Sequence, residues 1–147
     1  VMSLRDGMSK MSKTDPSDMS RINLNDSDDD IAQKIRKAKT DPDPLPENPA
    51  ALDSRTEAKN LVGIYAAVTG ESVDAVLARF AGQGFGAFKP ALADALVALI
   101  APIRERLDDL RQHPDELDRI LAEGAARASE IGAPVLAGAK SAVGLTR

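Results

Sequence analysis

A short segment near the start of the chain, the lysine loop (residues 10–16), contains the residue types best suited to chemistry. Lys10 and Lys13 lie three residues apart, and the hydroxyl residues Ser12 and Thr14 flank the second lysine. A lysine ammonium is a flexible point charge with three donors, so it can follow phosphate oxygens that move during a reaction. Hydroxyls and turn amides add neutral donors. The segment predicts a polyphosphate-binding loop, and the alternative is an ordinary solvated loop.

The composition excludes several other chemistries. The 147 residues include no cysteine, which excludes disulfides, cysteine zinc sites and thiol catalysis. His113 is the only histidine, so a Ser-His-Asp triad would have to use it, and its place before Pro114 favours a polar helix end. With 19 basic and 23 acidic side chains, the net charge is −4. Because bulk charge does not favour nucleic acid, any phosphate contact must come from a local cluster.

The sequence gives no sign of a membrane or export segment. The longest apolar run, residues 95–103, is broken by Pro102 and falls short of the roughly 20 residues that a span needs. The first residues lack the apolar core of a signal peptide. We therefore expect a cytoplasmic protein with no membrane partner.

The elements that must position the lysine loop are predicted to be helices. The chain has 24 alanines but only one tyrosine and three phenylalanines, a composition that favours helices over sheets. The proline-rich segment 40–50 is predicted to be an extended connector. Apolar spacing and the positions of glycine and proline predict helices over about 27–39, 57–68, 72–80, 89–112 with a kink near Pro102, 114–132, and 134–143.

These helices predict an all-α protein. Isolated helices of this length are marginal in water, so their apolar stripes, including the one on the helix at 114–132, are expected to pack together. The prediction is a helical bundle over residues 26–147, preceded by a loop-rich segment over residues 1–25. The three aspartates at 28–30 are interpreted as the first turn of a helix rather than a metal cluster, so no metal site is predicted.

The order of letters in the lysine loop resembles a known signature. Lys-Met-Ser-Lys followed by a hydroxyl residue is similar to the KMSKS loop of class I aminoacyl-tRNA synthetases. The flanking segments VMSLRDG, KMSKTDPSD, RINLNDSDDDIAQKIRKAKTD, NLVGIYAAVTGE and FKPALADALVALIAPIRERL resemble the C-terminal part of bacterial tryptophanyl-tRNA synthetases, over essentially the whole chain. Tyrosyl-tRNA synthetases share the loop, but they resemble this chain less after it and usually end in an added RNA-binding module.

The resemblance implies a function and assigns residues to it. Such enzymes activate tryptophan with ATP and Mg²⁺ and transfer it to tRNA(Trp), and they work as homodimers. It implies that residues 1–25 end a Rossmann-like catalytic domain and that the helices bind the tRNA anticodon. By the same resemblance Lys10 and Lys13 are catalytic residues that contact the phosphates, and Met11, Ser12 and Thr14 shape the ATP-binding loop. The main chain of Val1, nine residues before Lys10, is expected to contact ATP.

The chain departs from the family pattern in two ways. Thr14 replaces the usual serine but keeps its hydroxyl, and Met8 and Ser9 stand where relatives often have Thr-Lys. The HIGH-like signature and the tryptophan pocket are absent, so we expect a C-terminal fragment that is inactive alone. Two alternatives stay open: a noncatalytic helical module that binds tRNA or protein, and a fragment of another class I synthetase such as the tyrosyl enzyme. Arg104, Arg106 and Arg111 are interpreted as solvated ion pairs, with contacts to the anticodon stem as the alternative.

Overall fold

The computed structural model describes residues 1–145 and divides the chain into two compact units, Val1–Arg104 (unit 1) and Glu105–Arg147 (unit 2). Within residues 1–145 there is no strand, only an isolated antiparallel bridge between Met2 and Lys10. The predicted all-α class is therefore confirmed. The helices are α1 (Asp28–Lys37), α2 (Thr56–Thr69), α3 (Val73–Phe80), α4 (Phe85–Gln112) and α5 (Pro114–Ala142), with short 3₁₀ turns at Asp18–Ser20 and Pro49–Leu52.

Side-chain caps explain where two of these helices begin. At α1 the Ser27 hydroxyl accepts from the Asp30 amide at 3.1 Å, and the Asp30 carboxylate accepts from the Ser27 amide at 3.2 Å. This reciprocal capping box confirms that the aspartates at 28–30 form a first turn. At α3 the Ser72 hydroxyl accepts from the Ala75 amide at 3.2 Å. Gly70, which has a φ of 72°, ends α2 as predicted.

The core of unit 1 is built around the four aromatic side chains of the whole chain. Tyr65 of α2, Phe80 of α3, and Phe85 and Phe88 of α4 form one cluster in which the rings of Phe80 and Phe88 lie 5.1 Å apart, edge to face. Such contacts add to the stabilisation from burial. On α2 the apolar residues at helical spacing are Ala58, Leu61, Val62, Tyr65 and Val68, and all are buried except Val68, which is half-buried. Other buried core residues are Leu4, Ile31, Ile35, Leu45, Leu52, Val76, Leu77, Leu92, Leu96 and Ile100.

The proline-rich connector is extended as predicted, and it is held against the rest of unit 1. The Leu45 amide donates to the Gln83 carbonyl at 2.9 Å, and the Gly82 amide donates back to the Leu45 carbonyl at 2.8 Å. Arg55 donates to both carboxylate oxygens of Asp41 and to the carbonyls of Asp43 and Pro44. These bonds fix a segment whose prolines rule out a regular helix.

Two predicted helix limits are wrong. α4 begins at Phe85, four residues before the expected start at Lys89, because burying Phe85 and Phe88 in the aromatic cluster favours the additional turn. α5 runs from Pro114 to Ala142 without ending at Gly132. Gly132 does not adopt the positive φ that a glycine stop uses, and good helix formers such as Ala133 follow it.

Unit 2 contains α5, and this helix has no buried residue. The expected burial of its apolar stripe is therefore wrong for the structure described here: Leu121 is 61% exposed, and the other exposed large apolar residues of α5 are Leu117, Ile120, Ile131, Val135 and Leu136. Its length and alanine content suffice for a helix.

α4 includes an 18-residue window that is long and apolar enough, by composition alone, to cross a membrane. In unit 1 the same helix provides core side chains, since Phe88, Leu92, Leu96 and Ile100 are all buried. A helix that lines a protein core needs this apolar content whether or not a membrane is nearby. Lys89, on the same helix, donates to the carbonyls of Ala38 at 2.6 Å and Arg36 at 3.2 Å, so it closes the C-terminal end of α1.

Candidate functional site: the lysine loop and its supports

The chain enters the site as an extended arm that pairs with the start of the lysine loop. The Ser3 amide donates to the Ser9 carbonyl at 2.8 Å, beside the bridge between Met2 and Lys10. Asp6 closes the turn between this arm and the start of the lysine loop. Its carboxylate accepts from the Met8 amide at 3.0 Å and from the Ser9 hydroxyl at 2.6 Å. The Ser9 hydroxyl and the Met8 amide lower the pKa of Asp6, so this turn is closed at neutral pH.

The tip of the loop presents both lysines to solvent. Lys10 and Lys13 are exposed, and none of the ion pairs found within residues 1–145 involves either of them. The Ser12 and Thr14 hydroxyls lie 3.0 Å apart, and the Thr14 amide donates to the Ser12 oxygen at 3.3 Å. Met11 is half-buried. The two ammonium groups are thus available for an anion, on a loop whose own hydroxyls define its turn.

The chain leaves the loop through a second arm that α1 holds. The Ser17 amide donates to the Asp15 carboxylate at 2.8 Å, and Arg21 donates to the Asp15 carbonyl at 3.1 Å. The Lys34 ammonium lies 2.6 Å from a carboxylate oxygen of Asp18 and 2.6 Å from one of Asp26. One side chain of α1 therefore joins the 3₁₀ turn after the loop to the segment that precedes α1.

Lys34 is charged in this position in spite of its burial. Its side chain is only 3% exposed. Burial alone would lower the pKa of Lys34, but the hydrogen bonds that it donates to Asp18 and Asp26 outweigh that effect and raise it. The same contact with Lys34, with help from Asn23, lowers the pKa of Asp18. Both shifts favour the charged forms, so the ion pair between Lys34 and Asp18 is present at neutral pH.

The first turns of α2 support the entering arm. The Asn60 side chain accepts from the Met2 amide at 2.9 Å and donates to the Met2 and Ser3 carbonyls at 3.1 Å and 3.3 Å. Gly7 lies directly on the helix start: a Cβ at this position would come within 2.6 Å of the Thr56 carbonyl carbon. Only a residue without a side chain allows this approach.

Val1 lies at the edge of this arrangement. Its side chain is 76% exposed. A shallow cavity of about 240 Å³ opens beside it, lined by Val1, Met2, Lys59, Asn60, Gly63 and Ile64. Val1 therefore lies directly beside Met2, the residue of the entering arm that pairs with Lys10. Its main-chain contact with a nucleotide stays a prediction.

The other candidates from the sequence have structural partners. Arg104 donates to the Asp26 carbonyl at 2.7 Å and to the Asp28 carboxylate at 2.8 Å. In unit 2, Arg106 pairs with Asp109 and Glu116, and Arg111 lies 3.4 Å from Asp108. The interpretation of the arginines as ion pairs is thus confirmed. His113 is exposed between α4 and α5, and no group of three His, Cys, Asp or Glu side chains within residues 1–145 could hold a metal ion.

Comparison with known proteins identifies the family. The sequence profile of the class I tRNA synthetases for tryptophan and tyrosine (tRNA synthetases class I, W and Y) matches residues 1–101, which include the lysine loop, α1, α2 and α3. The chain belongs to this family. The resemblance carried by the KMSK letters and their flanks is therefore confirmed at the level of the family.

Individual members of the family are similar over nearly the whole chain. The tryptophan–tRNA ligase of Caulobacter vibrioides is 58% identical over 144 residues, which are 98% of this chain and 42% of that protein. The tryptophan–tRNA ligase of Rhizobium meliloti is 56% identical over 130 residues, 88% of this chain and 37% of that protein. The chain thus spans about two fifths of the length of these synthetases.

A solved synthetase structure has the same fold. The crystal structure of tryptophanyl-tRNA synthetase from Mycoplasma pneumoniae superposes with a TM-score of 0.82 at 22% identity, covering all of this chain and 46% of that one. The helical architecture is therefore one that this family uses. The predicted division between residues 25 and 26 stays a prediction. The two compact units of this structure divide at another place, between Arg104 and Glu105.

Three residues that support the synthetase loop were not predicted from the sequence. Asn60 gave a weak signal, because asparagine is a poor helix former and here interrupts the interior of α2. For Lys34 the available signal is its spacing, because it follows Ile31 by three residues and shares its buried face. For Gly7 the local sequence contains no signal of its contact with α2.

Proposed function

We propose that the chain is the part of a tryptophan–tRNA ligase that supplies the ATP-binding lysine loop and the tRNA-binding helices. One observation carries the proposal: Lys10 and Lys13 are exposed at the tip of a loop whose two arms are fixed to α1 and α2, in a chain of the class I family. A rigidly mounted loop with uncommitted ammonium groups suits the recognition of a polyphosphate.

In the proposed reaction the carboxylate of tryptophan displaces pyrophosphate from the α-phosphate of ATP. A ribose hydroxyl at the 3′ end of tRNA(Trp) then attacks the carbonyl of the resulting adenylate, which forms the ester and releases AMP. Negative charge builds on the pyrophosphate as it leaves. Lys10 and Lys13 offset this charge, and Lys13 has the larger part. Met11, Ser12 and Thr14 set the shape of the loop, and the Val1 main chain contacts ATP. The role of the loop is electrostatic and needs no proton transfer.

The remaining partners follow from the same proposal. Mg²⁺ enters as part of the ATP substrate, because this ion is usually bound through the phosphates of a nucleotide. The helices after the loop contact the anticodon part of tRNA(Trp). The complete ligase is a homodimer in the cytoplasm, with no membrane partner.

Tryptophan is favoured over tyrosine as the amino acid because of the relatives. The family profile covers both enzymes, whereas the proteins that are 58% and 56% identical to this chain are both named as tryptophan–tRNA ligases. A noncatalytic helical module is the second candidate. It has less support, because such a module would not need the two exposed lysines of the loop.

The test is the substitution Lys13→Ala in the complete ligase that carries this chain. Removing one charged contact to the transition state costs about 3 kcal/mol, so the rate of tryptophan activation falls by about two orders of magnitude. The dissociation constant for tryptophan stays the same, because the loop contacts the phosphates. The measurements are tryptophan-dependent exchange of pyrophosphate into ATP and equilibrium binding of tryptophan.

Lys37→Ala is the matched control, since Lys37 is another exposed lysine, lies in the last turn of α1 and belongs to a different element from the loop. It leaves the exchange rate at the wild-type value. An unchanged rate for Lys13→Ala would remove Lys13 from the mechanism. Exchange supported by tyrosine and not by tryptophan would assign the chain to the tyrosyl enzyme.

A further inference from the structure

Asn60 makes an unusual set of contacts for a residue in the interior of a helix. Its side-chain amide bonds to both the N–H and the C=O of Met2, at 2.9 Å and 3.1 Å, and also to the Ser3 carbonyl at 3.3 Å. Asn60 and Met2 are 58 residues apart in the chain. An amide side chain that pairs with both main-chain groups of one residue acts as a short neighbouring strand.

The entering arm bonds both to α2 and to the residues that lead into Lys10. Met2 directs its N–H and its C=O to Asn60, while the Ser3 N–H donates to the Ser9 carbonyl and the Ser3 carbonyl accepts from Asn60. The two residues Met2 and Ser3 therefore connect α2 to the start of the lysine loop.

We propose that Asn60 is a positioning residue for ATP activation, which sets the place of Lys10 and Val1 by fixing the main chain of Met2. The inference rests on the proposed function, since it concerns the same loop. Met2 is the residue through which this effect passes: it follows Val1 directly, and it forms the antiparallel bridge with Lys10. Without the Asn60 amide, the arm and the lysine that it pairs with lose a common reference point on α2.

The contacts of Asn60 are of a kind that affects geometry more than stability. The bonds to Met2 are exposed, so water replaces them when the side chain is removed. The loss is then one of orientation, and misplacing a reacting group by about 1 Å can cost on the order of 100-fold in rate. A purely structural residue would instead lower the melting temperature and leave the turnover of the folded enzyme unchanged.

The experiment uses Asn60→Ala in the complete ligase, with Asn48→Ala as the matched control. Asn48 is also an asparagine whose side chain bonds to main chain, accepting from the Ala50 amide at 2.9 Å, but it lies in the connector and has no contact with the loop. Pyrophosphate exchange, scaled to the number of active sites, gives kcat and the KM for tryptophan. We expect kcat for Asn60→Ala to fall by roughly 10- to 100-fold with KM for tryptophan unchanged, and Asn48→Ala to match the wild type.

A double variant separates the two possible failures. If Asn60 acts through Lys10, Asn60→Ala combined with Lys10→Ala is no slower than Lys10→Ala alone. A wild-type kcat for Asn60→Ala, or an effect that multiplies with that of Lys10→Ala, overturns the inference and leaves the proposed function standing. A wild-type rate for both Lys10→Ala and Lys13→Ala contradicts the proposed function and the inference together.

A second variant covers the case in which Asn60→Ala does not fold. Asn60→Asp keeps an acceptor for the Met2 amide and loses the donor for the Met2 and Ser3 carbonyls, with little change in volume. The same fall in kcat at unchanged KM is expected from it. A wild-type kcat for a folded Asn60→Asp that also melts normally would overturn the role of the donor.

Discussion

At the scale of single residues, Gly7 decides how closely the turn of the entering arm can approach α2. A Cβ on this residue would lie 2.6 Å from the Thr56 carbonyl carbon and 2.7 Å from the Glu57 nitrogen. Both are main-chain atoms at the start of a helix, and they cannot move aside as a flexible side chain could. The position therefore constrains the loop and the helix at once.

We expect Gly7→Ala to destabilise unit 1 by about 1–3 kcal/mol, because the turn must shift away from α2. Urea unfolding followed by circular dichroism measures the change. Gly63→Ala is the matched control: nothing lies within 4 Å of the Cβ that it would add, and alanine in the interior of α2 should stabilise by about 0.5–1 kcal/mol. Equal effects of the two substitutions would contradict the close approach at Gly7.

The residues proposed to bind phosphate carry a clearer sequence signal than the residues that support their loop. Lys10 and Lys13 are recognised from their letters, because a signature lies within a few neighbouring positions. Asn60 and Lys34 act on partners that are far away in sequence or on another element, as the separation of 58 residues between Asn60 and Met2 shows. Spacing along one helix contains no information about such contacts.

At the scale of elements, the ion pair of Arg55 with Asp41 helps to hold the extended connector in position. Hydrogen bonding from Arg55 lowers the pKa of Asp41, and burial of the carboxylate opposes this only in part. The same contact raises the pKa of Arg55, so both shifts favour the charged forms of the two side chains. An acid whose pKa is lowered by folding stabilises the protein above its ordinary pKa, and this contribution is lost as the pH falls through the lowered value.

Asp41→Asn should therefore be less stable than the wild type at pH 7 by about 1–3 kcal/mol, the cost of removing a charged hydrogen-bond acceptor. The difference should shrink as the pH is lowered below about 4, where the wild type loses the same charge. Urea unfolding of this chain at several pH values measures both. Asp53→Asn is the control, since the exposed pair of Asp53 with Lys59 should contribute little at any pH. A constant difference between wild type and Asp41→Asn down to pH 3 would refute the linkage.

Most helices were predicted correctly, and the exceptions have a common origin. The apolar spacing of α1, α2 and α3 reflects faces that are buried in unit 1. The early start of α4 comes from the packing of Phe85 and Phe88 against side chains of other helices. In both exceptions a single local signal, Pro90 or Gly132, indicated a helix limit that another effect overrode. At Pro90 this effect is tertiary packing, and at Gly132 it is the helix propensity of the residues that follow.

At the scale of the whole molecule, we expect this chain alone to show no tryptophan-dependent exchange of pyrophosphate into ATP. Residues 1–145 contain no sheet at whose edge a nucleotide and an amino acid could bind together, and the chain spans about two fifths of the length of its relatives. A lysine loop without that site has no transition state to stabilise. Exchange above the background of a Lys13→Ala chain, measured at the same protein concentration, would overturn this expectation.

The aromatic content of the chain has two consequences for spectroscopy. Tyr65 is the only tyrosine, it is buried, and its hydroxyl accepts a hydrogen bond from Arg79 at 3.1 Å, while the chain contains no tryptophan at all. The near-ultraviolet circular dichroism of the chain is therefore dominated by one side chain in the core of unit 1, and it disappears when packing loosens even if the helices persist. Any indole fluorescence measured with this segment alone comes from added tryptophan, because the segment itself contributes no indole background.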